Sequence, residues 1–168
     1  NGCKTIQRYG IVMIKLELGA DTVSLFPELD EKETLKEVAK FFTKDLERLL
    51  LMSGHELVDL KSPTLSSAPG HSNGSNNSEK AIIRGLNAEA MVRATSDTIH
   101  HCSHNSQIIL IGLFIRKWPW NEVKPLVYSE NNKFSYLRRK AMFEFADGFD
   151  YWQRVNNCQP IIDLHKYK

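Results

Sequence analysis

The chain has 168 residues, 42% of them hydrophobic and 25% charged, which is ordinary globular usage and excludes a fibre or wholesale disorder. Net charge is only +2, so the total does not announce a nucleic-acid binder. No apolar run approaches the ~18 residues that span a bilayer, which predicts no membrane segment. Three scattered cysteines, Cys3, Cys102 and Cys158, are too few for a disulfide framework and point to a reducing interior.

Residues 1–29 lack a clear assignment. The chain starts on Asn1, its first methionine is Met13, and no signal peptide is legible, because Lys15 and Glu17 break the apolar run. Ile11 to Leu18 alternates only in part and offers a short strand. Residues 30–60 form an N-terminal helical segment. Asp30 caps it and Glu33 completes a capping-box pattern. Leu35, Val38, Phe42, Leu46 and Leu49 make one apolar stripe, and Gly54 is the stop. Its other face, rich in Lys and Glu, reads as solvated surface.

Residues 61–78 hold two prolines, two glycines and many small polar residues, the composition of a flexible linker. A domain over 79–152 comes next, with a tail at 153–168 that Ile161, Ile162 and Leu164 can anchor. Ser78 is the candidate cap of its first helix, which runs to about Ile99 along a seam of Ala81, Ile82, Leu86, Ala90 and Ala94. From about His104 to Trp118 the pattern is apolar almost all round, as in a buried helix that Pro119 ends.

Trp118–Val127 then reads as a short helix with Trp120, Val123 and Val127 apolar, strained by Pro125, and Tyr128–Asn132 as a turn in which Ser129 can cap a new helix. In that new helix Phe134, Leu137, Ala141 and Phe145 share one face, with Asn132, Tyr136, Arg139 and Phe143 opposite. Gly148 offers a stop or bend. Two helices around a short turn, the second with an amide- and arginine-rich face, have the layout of a helix-turn-helix. Asn and Arg can each bond base edges in two places. That chemistry selects Asn131, Asn132, Ser135, Tyr136 and Arg139 as candidate base readers. Lys133, Arg138 and Lys140, supported by Arg116, Lys117 and Lys124, are candidate phosphate contacts. The bland alternative is the last helix of a bundle with solvated bases.

Ser106–Leu110, Trp118–Val123, Leu126–Glu130 and Phe134–Ala146, in this order and spacing, resemble the ArpU family. The resemblance extends upstream to Ser62–Leu65, Ala68–Pro69 and Ser78–Ile82, and covers about residues 30–150. It implies a phage or prophage regulator of late packaging and lysis genes in Gram-positive bacteria. It also implies a C-terminal part similar to region 4 of sigma factors, with a DNA-reading helix at about 130–147. Pro125 and the acids Asp147 and Asp150 depart from the pattern.

His100-His101-Cys102-Ser103-His104 superficially suggests metal binding, but no second ligand pair has matching spacing, so no metal is assigned and a polar helix junction is expected. Nothing marks an oxyanion hole, so no catalysis is expected. Phe143, Phe145, Phe149, Tyr151 and Trp152 form an aromatic end that fits core packing or a partner patch.

The expectation is an all-α helical bundle ending in a sigma region 4-like helix-turn-helix, with a separate N-terminal helix and a flexible linker. Its partners would be double-stranded DNA, host RNA polymerase and a second copy of itself, in the bacterial cytoplasm, with no cofactor. A protein–protein module whose basic helix binds an acidic partner is the competing class. Charge is polarised in the direction DNA needs: residues 1–103 carry 12 bases and 14 acids, residues 104–168 carry 10 and 6.

Overall fold

In the computed structural model the described residues are 7–8, 11–12, 26–61, 76–127 and 133–168. They are almost entirely helical, in chain order α1 (Glu31–Lys40), α2 (Leu46–Ser53), α3 (Asn76–His101), α4 (His104–Leu110), α5 (Trp120–Val123) and α6 (Phe134–Val155). The one ladder among the described residues is a two-residue hairpin pairing Gln7 with Val12 and Arg8 with Ile11. An all-α fold is therefore correct. None of these helices is long and apolar enough to cross a membrane.

Local chemistry explains the boundaries. Asp30 accepts a hydrogen bond from the Glu33 amide at 3.1 Å, as an N-cap should. The reciprocal half of the expected capping box is replaced. The Asp30 amide donates to the Lys166 carbonyl at 2.7 Å, and the Glu33 carboxylate pairs with Lys36. Gly54 ends α2 with φ 75°, the left-handed turn glycine adopts without strain, and its amide donates to the Leu50 carbonyl. α3 starts at Asn76, two residues before the expected Ser78 cap, so the linker ends earlier than expected. Most of that linker, 62–75, lies outside the described residues.

The first helix differs from a plain α-helix in its middle. Phe41–Asp45 is a π-helical turn joining α1 to α2. Thr34, Val38, Phe42, Leu46 and Leu50 are all buried, a strict four-residue repeat. At 3.6 residues per turn, each step of four drifts by about 40° around the axis. The wider turn takes up part of that drift and keeps the row on the core. A second π turn, Ile111–Ile115, extends α4. The two turns meet, because Phe42 and Phe114 stack with centroids 4.6 Å apart.

That contact corrects the expectation of a separate N-terminal helix. Phe41 meets Phe145 at 5.8 Å and Phe149 at 4.9 Å, and Phe42 meets Phe145 at 4.6 Å. Aromatic pairs at such spacing add to the burial gain. α1, α2 and α6 therefore share one core with α3 and α4.

Two other expectations fail for packing reasons. Gly148 does not stop α6, which runs on to Val155. A β-carbon there would meet the Thr98 side chain at 3.4 Å, an ordinary contact, so Gly148 sits where α3 packs on α6. Ile82 and Leu86, assigned to the buried seam, are exposed, and α3 buries Ala88, Met91, Val92 and Thr95 instead. The tail past α6, residues 156–168, is docked through two of its expected anchors, with Leu164 buried and Ile162 packed on the core while Ile161 is exposed. Gln153, fully buried on α6, accepts from the Ile162 amide at 2.7 Å and donates to the Ile162 carbonyl at 2.9 Å. Leu29 bridges Tyr167, and Lys168 pairs with Glu28.

Candidate nucleic-acid interface

The interface expected from the sequence begins at α5. The π turn after α4 ends at Ile115; Lys117, with φ 54°, then turns the chain, and the Trp118 amide closes back on the Gly112 carbonyl at 2.9 Å. Pro119, with extended ψ, sits at the N-cap of α5. α5 keeps its α-helical form only to Val123. It tightens to a 3-10 turn over Lys124–Leu126, which is how Pro125 is accommodated. Val123 is fully buried and lies directly over Gly112. A β-carbon at Gly112 would stand 2.7 Å from a Val123 methyl, so only glycine lets α5 sit this close. Trp120 then reaches Phe134 of α6, ring centroids 6.4 Å apart.

α6 has Lys133 as its N-cap residue and no side-chain cap. Its first turns present Ser135, Arg138 and Arg139 to solvent, with Lys133 beside them; Tyr136 and Lys140 are half-buried. Leu137, Ala141 and Phe145 point into the core as expected. Phe143, expected on the outer face, is buried. α6 is contacted by α1, α3 and α4, and past its opening turns it also exposes Asp147, Asp150, Tyr151, Arg154 and Val155. Asn131, Asn132 and Ser129 lie outside the described residues.

The phosphate candidates divide by their partners. Lys117 is held by Glu47 of α2 at 2.6 Å and Lys140 by Glu144 at 3.5 Å. Arg116 lies over the Trp118 ring at 4.5 Å, a cation–π contact. Lys124, Lys133 and Arg138 are exposed. Exposed ion pairs are weak and exchange readily, so Lys117 can still trade a carboxylate for a phosphate.

Glu144 has a second task that no sequence pattern signals. It accepts from the Ser103 amide at 3.0 Å and the Ser103 hydroxyl at 2.8 Å, holding α6 against the start of α4. Gln107 closes the same junction by donating to the His100 and Cys102 carbonyls at 2.9 and 2.8 Å. The His-Cys-His tract therefore forms a polar helix junction, and the described residues gather no metal-ligand cluster. Burial pushes the Cys102 thiol up to about 12, with Glu144 and Asp147 adding to the effect, far from a nucleophile's range.

Over 130 residues this chain is 28% identical to ArpU of Enterococcus hirae, a protein whose name assigns it to autolysin regulation. The alignment takes in 76% of this chain and 93% of that one. No family model matches the chain, and no solved structure matches it. The similarity thus agrees with the resemblance carried by the residues from Ser106 to Ala146.

Between α1 and the opening of α6 lies an open cleft of about 720 Å3. Leu35, Ala39, Trp120, Phe134 and Met142 give it apolar walls, and Lys36, Arg138 and Arg139 give it basic edges. Sequence reasoning misses Lys36 and Trp120 as members of this surface. Lys36 reads as one of a row of solvated lysines, and only the crossing of α1 over α6 brings it here.

Proposed function

We propose that the protein is a sequence-specific, non-enzymatic DNA-binding regulator of transcription. In this reading α5 and α6 act as a helix-turn-helix, with the first turns of α6 entering the major groove. The observation that carries it is the opening of α6. Ser135, Arg138 and Arg139 are exposed on the first turns of a long helix whose Phe134 meets Trp120 of α5. Arg139 and Ser135 read bases, joined by Asn131, Asn132 and Tyr136. Lys133, Arg138, Lys140 and Lys124 hold phosphates, with Arg116 and Lys117 in support. Likeness to ArpU supports a regulatory role, which we place at late packaging and lysis genes of a phage or prophage, acting beside host RNA polymerase.

Fluorescence anisotropy with duplex DNA from the late-gene control region tests this. Binding exceeds that to random duplex and falls with salt, with a log–log slope of about −0.9 per phosphate contacted. Equal, salt-insensitive binding of both duplexes refutes it. The cleft favours a second reading, in which an acidic protein segment with an apolar anchor docks between α1 and α6 and DNA is not touched. Under that reading the Ala39→Trp variant, which fills the cleft, abolishes partner binding, and no duplex binds in a salt-dependent way.

A further inference from the structure

Away from the α6 opening, a second surface is unusual for its exposed aliphatic side chains. Leu51 and Met52 end α2, and Ile82, Ile83 and Leu86 lie in the first half of α3; their exposures are 85%, 45%, 45%, 50% and 59%. The two groups adjoin, since a β-carbon at Gly85 would lie 3.5 Å from the Met52 carbonyl. Leucine at 85% exposure gains nothing from the monomer's fold. Nor does helix formation require it, because a polar residue of equal propensity would serve.

The position of the patch stems from how α3 lies on α6. Asp97 bonds Asn156 just past the end of α6 at 2.8 Å, while Ser103 bonds Glu144 twelve residues earlier. The two helices thus run roughly antiparallel, and the first half of α3 extends beyond the C-terminal end of α6. The patch therefore lies toward the opposite end from Ser135, Arg138 and Arg139.

We propose that this surface is a homodimer interface, in which the α2–α3 patch of one copy packs on the same patch of another about a two-fold axis. Area supports this occupant. The five side chains expose on the order of 500 Å2 of apolar surface, near the top of what monomers show. Doubled by a second copy, that is roughly 1,000 Å2 before any polar rim, which is the threshold of a stable specific interface. Charge supports it too. An isologous contact sets a patch against itself, so a single-sign rim would repel. Both signs occur close to the patch in sequence, with Arg48 and Arg84 exposed on α2 and α3 and Glu56 exposed on the loop after α2. Such a dimer leaves both α6 openings free. The proposal stands on the patch alone and does not depend on DNA binding.

Sedimentation equilibrium of the full chain over a range of concentrations tests it. The native protein shows a monomer–dimer equilibrium. Leu86→Glu and Leu51→Glu each raise the dissociation constant by about tenfold or more. Far-UV circular dichroism and the thermal midpoint at low concentration stay unchanged, because both side chains are exposed in the monomer. A native protein that is monomeric at every concentration overturns the proposal. So does a dimer that persists unweakened in the Leu51→Glu/Leu86→Glu double variant.

Discussion

The contact of Val123 on Gly112 sets where α5 sits on the π turn after α4, and it can be tested by a double-mutant cycle. Gly112→Ala places a β-carbon 2.7 Å from one Val123 methyl and 3.1 Å from the other, while the Val123 β-carbon stands at 3.5 Å, an ordinary contact. Overpacking of this kind costs about 1–3 kcal/mol. Replacing a helical glycine returns up to ~1 kcal/mol. The single variant is therefore expected to lose about 1–2 kcal/mol. Val123→Ala removes two fully buried methyls and costs about 1.5–3 kcal/mol. In the Val123→Ala background the clash is gone, so Gly112→Ala becomes neutral or stabilising by up to ~1 kcal/mol. The coupling between the two sites is then about 1–3 kcal/mol. Urea denaturation of the four proteins measures it, with unchanged m values as the check that all unfold the same surface. If Gly112→Ala has the same effect in both backgrounds, α5 does not press on Gly112 and the placement of the helix pair is wrong.

Other outcomes rest on the same structure. Arg139→Ala is expected to weaken binding to the preferred duplex by about 1–3 kcal/mol and to blur one base position, read by anisotropy on a single-substitution duplex panel; equal loss on all duplexes would make Arg139 a phosphate contact. The hydrogen bond with Asp147 holds the His165 imidazole above its ordinary value, helped by the Asp147 and Asp163 charges against partial burial. Its folded-state value thus exceeds the unfolded one. The stability His165 adds is full below the ordinary value of 6.5 and is lost as pH rises through the folded value. The stability gap between the native protein and His165→Gln should accordingly shrink from acid to alkaline pH in urea titrations, and a growing gap contradicts the assignment. In a Cys3→Ser background, Cys102 and Cys158, raised by burial to about 12 and about 11, should resist iodoacetamide at neutral pH until the protein unfolds; rapid native labelling of either would show that its site is open.

Much of the fold is legible because it is local. The Asp30 cap, the Gly54 stop, the break at Pro119 and the stripe from Phe134 to Phe145 each depend on neighbours within a few residues. What escapes sequence reading depends on distant partners. Nothing near Phe41 or Phe42 names Phe145 as their neighbour, so the first helix reads as independent. Gly148 has the composition of a helix stop, but its meaning comes from Thr98 fifty residues away. The π turns leave a trace that can be recognised: buried residues spaced strictly by four, from Thr34 to Leu50, overrun an ordinary helix. Gly112 leaves one too, since a glycine inside so apolar a run forgoes propensity and points to a close neighbour. At the interface, the basic opening of α6 is readable as charge. The restraint of Lys117 by Glu47, seventy residues upstream, is not, and neither is the burial of Phe143.

The clasp between residues 28–34 and 163–168 bears on how the protein reaches its native state. Thr34, fully buried on α1, accepts from the Lys166 amide at 3.0 Å, a partner 132 residues downstream, and the Asp30 amide depends on the same lysine's carbonyl. During synthesis α1 leaves the ribosome long before Lys166 is made. Its start therefore waits, with its buried threonine unpartnered, until translation of this stretch is complete. Contacts of such long sequence separation form late and slow the approach to the native state. The first helix to be translated is thus among the last to be locked. Trimming residues 164–168 would leave a chain whose α1 opens from its N-terminal end, ahead of the aromatic core at Phe41.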